Sequence, residues 1–281
     1  MAVFAISDLH LSHASQKPMD VFGPSWDRHA ERIADGWAGA VSGGDTVLLP
    51  GDISWAMRLE EAEADFAFID ALPGWKVVSK GNHDYWWTTL AKMRAFTAQR
   101  GFRSISFVHN GAAACAGGEA VVAAARGWVC PGAPGFCGDD DERLYAREAG
   151  RFSRSLIDAR RIVARPPGET MRPPEEAPSP PREAGRPPRD APSPPGEAPR
   201  LIAMLHFPPF HRSFAQIADG APPAERCSAF MDEIAAHSPD ICVYGHLHGD
   251  AARGAYEGRV GASRFVFVAA DSIGFRPRKL L

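Results

Sequence analysis

The run Trp75-Lys76-Val77-Val78-Ser79, followed after Lys80 by Gly81-Asn82-His83-Asp84, decides how this chain is read. Its apolar, β-branched first half predicts a buried strand. A glycine, an amide, an imidazole and a carboxylate make poor packing, and they stand where an α/β sheet opens onto its active edge. The arrangement recurs along the chain. Asp8 and His10 follow Val3-Phe4-Ala5-Ile6, Gly51-Asp52 follows Thr46-Val47-Leu48-Leu49, and His206 follows Leu201-Ile202-Ala203-Met204-Leu205. Gly245-His246-Leu247-His248 follows Ile241-Cys242-Val243-Tyr244. Five polar clusters, each closing a strand-like run, form a constellation.

Helical patterns separate the early strands. Ser25 is a plausible N-cap for a helix over 26–41, with Ile33, Trp37 and Val41 at four-residue intervals. Leu59, Glu63, Phe66 and Ile69 mark a second helix that ends before Pro73-Gly74, and a third is predicted over 87–100, stopped by Gly101. The order β-loop-α-β-α-β-loop-α argues for an α/β fold. Further on, 104–108 and 120–125 read as strands, 140–164 as an amphipathic helix, 223–237 as a helix opening at Pro222-Pro223, and 265–268 as a last strand.

Residues 166–199 break this pattern: 13 of the 34 are proline and none is Val, Ile, Leu or aromatic. Ala177-Pro-Ser-Pro-Pro-Arg-Glu-Ala184 returns as Ala191-Pro-Ser-Pro-Pro-Gly-Glu-Ala198. Such a composition cannot bury enough surface to offset its chain entropy, so a disordered surface insertion is expected within a single domain spanning 1–281. Docking of a proline-binding partner is the alternative reading, and nothing else indicates a protein partner.

The 281 residues, 45% of them hydrophobic, suffice for a sizeable core. A net charge of −3 gives no global pull towards nucleic acid or anionic membrane. Cys115, Cys130, Cys137, Cys227 and Cys242 are odd in number and lack Cys-x-x-Cys spacing, which speaks against a disulfide framework and for a reducing compartment. The first apolar run is halted at Asp8, so it reads as a strand and not a signal peptide, and no run reaches membrane-spanning length. The expectation is a soluble, cytoplasmic protein.

Asp8 and His10 are one residue apart, as are His246 and His248. In extended backbone, residues i and i+2 project to one side, so each pair could reach one centre. Asp52 adds a carboxylate able to bridge two cations, Asn82 a neutral oxygen and His206 another imidazole. An O/N set without thiolate suits Mn²⁺, Fe²⁺ or Zn²⁺ in an open catalytic site. Seven ligands are too many for one such ion and fit two sharing a carboxylate. Two ions about 3.5–4 Å apart can activate water and clamp a phosphoryl group.

At this point the chain resembles the calcineurin-like metallophosphoesterases. Their signature appears in order as Asp8-Leu9-His10, Gly51-Asp52, Gly81-Asn82-His83-Asp84, His206 and Gly245-His246-Leu247-His248. The stretches Gly51-Asp-Ile-Ser-Trp-Ala-Met57 and Asn82-His-Asp-Tyr-Trp-Trp87 look like a bacterial branch of predicted phosphohydrolases. The resemblance implies a β-sandwich of two mixed sheets flanked by helices. It implies a first metal held by Asp8, His10, Asp52 and His248, and a second by Asp52, Asn82, His206 and His246. It also implies a metal-bridging hydroxide as nucleophile, with Mn²⁺ the leading metal, and His83 as general acid oriented by Asp84. The Gly-Asp-x-x-Asp-Arg pattern of the Ser/Thr protein phosphatases is absent, and so is a basic domain like that of the DNA-repair nucleases. A small phosphate mono- or diester is therefore the expected substrate. A nucleotide or cyclic-nucleotide phosphodiesterase, a nuclease, and a non-catalytic scaffold with the same fold are the alternatives.

Around these motifs Trp86 and Trp87 read first as core, with stacking on a substrate ring as the alternative, and Phe207-Pro208-Pro209-Phe210 as shaping the ligand loop. His13 and His211 are candidate phosphate contacts, while His29, His109 and His237 read as surface or core histidines. Arg58 and Arg126 read as salt-bridging groups before phosphate binders. Deleting 166–199 is expected to leave fold and activity nearly intact by circular dichroism and ester hydrolysis; a large loss of either contradicts the insertion reading.

Overall fold

The computed structural model describes residues 1–15, 17–164 and 198–281. The insertion expected over 166–199 lies outside the described residues except for Ala198 and Pro199.

Two mixed sheets form the body. The first has the order β11 (Arg278–Lys279), β1 (Val3–Ala5), β2 (Thr46–Pro50), β3 (Trp75–Ser79), β4 (Ile105–Phe107), with β1 to β4 parallel and β11 antiparallel at the edge. The second runs β5 (Gly111–Cys115), β6 (Ala120–Ala125), β7 (Arg200–Leu205), β8 (Ile241–Tyr244), β10 (Ser263–Phe267), β9 (Gly258–Val260). Its four central strands are parallel, and β5 and β9 are antiparallel at the two edges.

The period-2 alternation of strand side chains makes three apolar layers. Val3, Ala5, Leu48 and Val77 of the first sheet face Val122, Ala124, Ile202, Met204, Val243 and Val266 of the second. The intervening residues Phe4, Val47, Leu49 and Val78 pack outward against α1 (His29–Ala38), α2 (Glu63–Ala71) and α3 (Leu90–Arg100) through Trp37, Phe66 and Met93. On the far side Val121, Ala123, Leu201, Ala203 and Tyr244 meet Phe152 and Leu156 of α4 (Gly138–Val163) and Phe230 of α6 (Ala229–His237). Burial on both faces is why the central strands read as unbroken apolar runs. The layers are helix, sheet, sheet, helix, as the resemblance implied.

Several boundaries differ from expectation. The first helix begins at His29, after 3-10 turns over Met19–Phe22 and Pro24–Trp26, and its N-cap is Arg28, not Ser25. Prolines at 222 and 223 do not open a helix; Ser228 caps α6 through the Met231 N–H. A short helix, α5 (Phe214–Ala218), carries a capping box between Ser213 and Gln216. Strands β5, β9 and β11 were not expected.

Because neighbouring strands are parallel, their C-terminal ends lie on one edge, and Asp84 binds two of those ends together. It is fully buried. Its Oδ2 accepts from the N–H groups of Asp52 (2.9 Å) and Gly81 (2.7 Å). Its Oδ1 accepts from the N–H groups of Ile53 (2.8 Å) and Ser54 (3.4 Å) and from Trp86 Nε1 (3.0 Å). Removing this acceptor orphans buried donors, each worth about 1–3 kcal/mol. Asp84→Ala is therefore expected to cost at least about 3 kcal/mol in urea unfolding, with Asp84→Asn in between; an unchanged midpoint for the alanine variant contradicts the clamp.

Candidate metal centre

The site is built from backbone turned sharply at strand ends. Asp8, His10, Asp52 and His246 all have left-handed φ, at 58°, 45°, 53° and 74°. The i, i+2 pairs therefore do not converge through extended chain, as expected from spacing, but through left-handed turns that send Leu9 into the core between Asp8 and His10. Such conformations cost energy in non-glycine residues and persist only where surroundings enforce them. Here Asp8 N–H donates to Gly51 O (3.0 Å) and His10 N–H to Asp52 O (3.0 Å), locking the loop after β1 to that after β2. The glycines of the motifs serve close approach. A Cβ at Gly81 would collide with the Asp52 carboxylate and backbone, and one at Gly245 with Ser7 and the Asp8 carboxylate.

All seven expected ligands lie in one network. His248 Nε2 is 3.4 Å from Asp8 Oδ1 and 3.4 Å from His10 Nε2. Asp52 Oδ2 lies between the two halves, 3.9 Å from His10 Nε2 and 3.4 Å from His206 Nε2. His206 Nε2 is 2.6 Å from Asn82 Oδ1 and 3.3 Å from His246 Nδ1. The His246 N–H donates to the Asp8 carboxylate at 3.0 and 3.2 Å, so the first and last motifs touch. Asp8, His10 and His248, and likewise Asp8, Asp52 and His206, place ligand atoms within 4.8 Å of one another.

Two outer contacts fix the imidazoles. His206 Nδ1 faces Pro50 O at 3.0 Å, and His248 Nδ1 faces Asp271 Oδ1 at 3.0 Å. A proton on each Nδ1 leaves the Nε2 lone pair aimed inward, the arrangement metal-ligating histidines use. Then His206 Nε2 and Asn82 Oδ1 oppose one another as two acceptors at 2.6 Å, a contact that a cation reconciles. Asp271 was missed from sequence, although it follows β10 in the position the other clusters take after theirs. Trp55, stacked on His10 at 4.9 Å, and Trp26, edge-on to His10 and His248, complete the wall and were also missed.

Electrostatics agree with a cation-seeking pocket. Burial pushes His10 and His246 down to about 3 and His206 to about 4, so these rings are neutral, as ligation requires. Burial and the carboxylates of Asp84 and Asp8 raise Asp52 well above the usual range. Burial alone would raise Asp8 too, yet His248, His206 and His10 hold it low. Burial opposes charge on His248, but hydrogen bonds to Asp271 and Asp8 prevail and lift it to about 10, so of these rings it alone is charged and a cation would have to displace its Nε2 proton to be ligated.

His83 does not fit one expectation. Asp84 spends its oxygens on the backbone and Trp86, and His83 Nδ1 is buried with no hydrogen-bond partner among the described residues. Asp84 therefore positions loops rather than orienting the imidazole. The ring is held by Trp55 at 4.6 Å and stands 5.8 Å from His10, while its backbone N–H donates to Asp52 Oδ1 at 2.8 Å. Burial lowers its pKa and outweighs the opposing pull of the Asp8 carboxylate. Among the other candidates, Trp86 is fully buried core and Trp87 packs edge-on to Phe107. Phe207 packs 4.0 Å from the His246 ring, as a loop-shaping residue would. His13 pairs with Asp65 at 2.8 Å, and Arg126 with Glu148 at 3.4 Å.

Among solved structures, the chain is similar to a protein of unknown function, AQ665 from Aquifex aeolicus, at 13% identity and a TM-score of 0.44, covering 99% of this chain and 95% of that one. Phosphopantetheinyl hydrolase (PptH) from Mycobacterium tuberculosis aligns at 13% identity and TM-score 0.46, over 100% and 95% of the two chains. TT1561 of Thermus thermophilus aligns at 14% and 0.49, over 100% and 99%. No curated protein matches the chain. The family model for calcineurin-like phosphoesterases matches residues 1–250, a span that holds all five motifs of the centre, and the chain belongs to that family.

Proposed function

We propose that the protein is a dinuclear-metal-dependent hydrolase of small phosphate mono- or diesters. The observation that carries this reading is the set of inward-facing acceptors, with His206 Nε2 opposed to Asn82 Oδ1 and Asp52 between His10 and His206. Asp8, His10, Asp52 and His248 would hold one ion, and Asp52, Asn82, His206 and His246 the other. Mn²⁺ is the first choice, with Fe²⁺ or Zn²⁺ compatible with the O/N donors. When bound, two such ions supply an activated water and positive charge for the phosphoryl oxygens. Asp271 and the Pro50 carbonyl keep the His248 and His206 rings in the tautomer that binds. His83 donates a proton to the departing oxygen, and Trp55 against its face limits how the ring can turn.

The free cysteines at 115, 130, 137, 227 and 242 support a reducing, cytoplasmic setting, and no described helix is long and apolar enough to cross a membrane. Substrate is taken as a small ester, without membrane or protein partner.

Hydrolysis of bis-p-nitrophenyl phosphate should require Mn²⁺ and disappear with chelator. Alanine at His83 should keep the metal and lower turnover about 10²–10⁴-fold, most with poor leaving groups; wild-type rates remove that role. Asparagine at Asp271 should weaken Mn²⁺ binding about 10–100-fold and recover rate at saturating metal. A metal affinity equal to wild type would remove Asp271 from the centre.

A further inference from the structure

A cationic wall adjoins the centre on the His206 and His246 side. Arg126 follows β6, and its carbonyl accepts the N–H groups of His206 and Phe207, both at 3.0 Å. The Phe207 ring is 4.0 Å from His246, Trp128 is 5.3 Å from Phe207, and the Arg126 guanidinium lies 4.5 Å over Trp128. Behind this layer the fully buried Glu148 of α4 takes Arg151 at 2.6 Å, Arg126 at 3.4 Å and Arg147 at 3.5 Å. Lys80 stands immediately before Gly81 of the motif. It is half-buried and has no hydrogen-bond or ion-pair partner among the described residues. The charges it feels most are Arg126, Asp84, Glu148 and Arg151. The Arg126 Nε is buried and unpartnered as well.

The charge balance decides between two explanations. If the arginines served only to neutralise Glu148, one guanidinium would suffice, and Lys80 would have no reason to stand beside them. Three arginines and a lysine against two carboxylates, Glu148 and the backbone-bonded Asp84, still leave a local surplus of positive charge that repels itself. Like charges held together and part-dehydrated at the rim of a reaction centre are relieved by an anion, and guanidinium forks match phosphate oxygens. The net charge of the chain is −3, so a long polyanion would gain little beyond this patch.

We propose that Lys80, Arg126 and Arg151 bind a second phosphate on the substrate, so that the preferred esters carry two phosphate groups, one cleaved at the metals and one held by this wall. This rests on the proposed hydrolytic centre. Trp128 holds Arg126 from beneath, and Glu148 Oε1 gathers the arginines around one oxygen, which pre-organises the site.

The test uses non-hydrolysable probes with the Mn²⁺-loaded full chain. Linear alkane bisphosphonates of increasing length are compared by calorimetry with alkylphosphonates of matching length. At least one bisphosphonate should bind about tenfold or more tightly than its single-headed counterpart. Lys80→Gln, which breaks no hydrogen bond or ion pair among the described residues, and Arg126→Gln should each erase most of that advantage. No advantage at any length, or an advantage undiminished in Lys80→Gln, overturns the proposal. Absence of the advantage with bis-p-nitrophenyl phosphate hydrolysis intact overturns this site alone. An intact advantage without hydrolysis removes the hydrolase reading and leaves the anion site standing.

Discussion

Lone pairs cannot face one another in a buried space without positive charge between them, and this chain forces them to. Asp8 and Asp52 are essentially inaccessible to solvent, and His206 turns one nitrogen to the Pro50 carbonyl and the other towards Asn82 and Asp52. Desolvation makes each uncompensated acceptor expensive. The fold must therefore spend structure to hold the ligands in place. It does so through left-handed turns at Asp8, His10, Asp52 and His246 and through glycines at 81 and 245 that let backbone and carboxylate approach. A bound cation would offset that cost.

The parallel sheets make the convergence possible. Ile6 N–H donates to Leu48 O in the first sheet, while Ser7 N–H donates to Val268 O in the second, so the chain leaving β1 stitches the two sheets at their active edge. Asp84 then gathers the loops after β2 and β3 around one carboxylate. Each ligand rides on a strand end whose position is set by core residues such as Leu48, Val77, Met204 and Val243. Strand ends are stiffer supports than free loops, and that stiffness suits a site of many ligands.

Much of this was legible in the residues because the same physics acts at both levels. Strands buried on both faces read as apolar runs, and polar groups that would be costly in a core mark where those runs end. What escaped was set by tertiary pairing. Gly111-Ala-Ala-Ala-Cys115 has no periodicity and becomes a strand only against Ala120–Ala125. Arg278–Lys279 is a strand only because β1 offers it an edge. The first helix starts late because Trp26 is taken by the packing of His10, His29 and Phe275, which keeps Pro24–Trp26 in a 3-10 turn. Adjacency misled in one case. Asp84 follows His83 in sequence, yet its backbone donors lie at Asp52, Ile53 and Ser54, and these outweigh the neighbouring imidazole. Asp271 lacked a motif, and its place beside His248 emerges only when β10 is laid next to β8.

On the proposed reading, the acceptors around Asp52 would seat a pair of cations. Anomalous scattering from a crystal soaked in Mn²⁺ tests this most directly. Two peaks about 3.5–4 Å apart are expected, one beside Asp8, His10 and His248 and the other beside Asn82, His206 and His246, with the Asp52 carboxylate between them. A single peak, no peak, or peaks away from these side chains would contradict it.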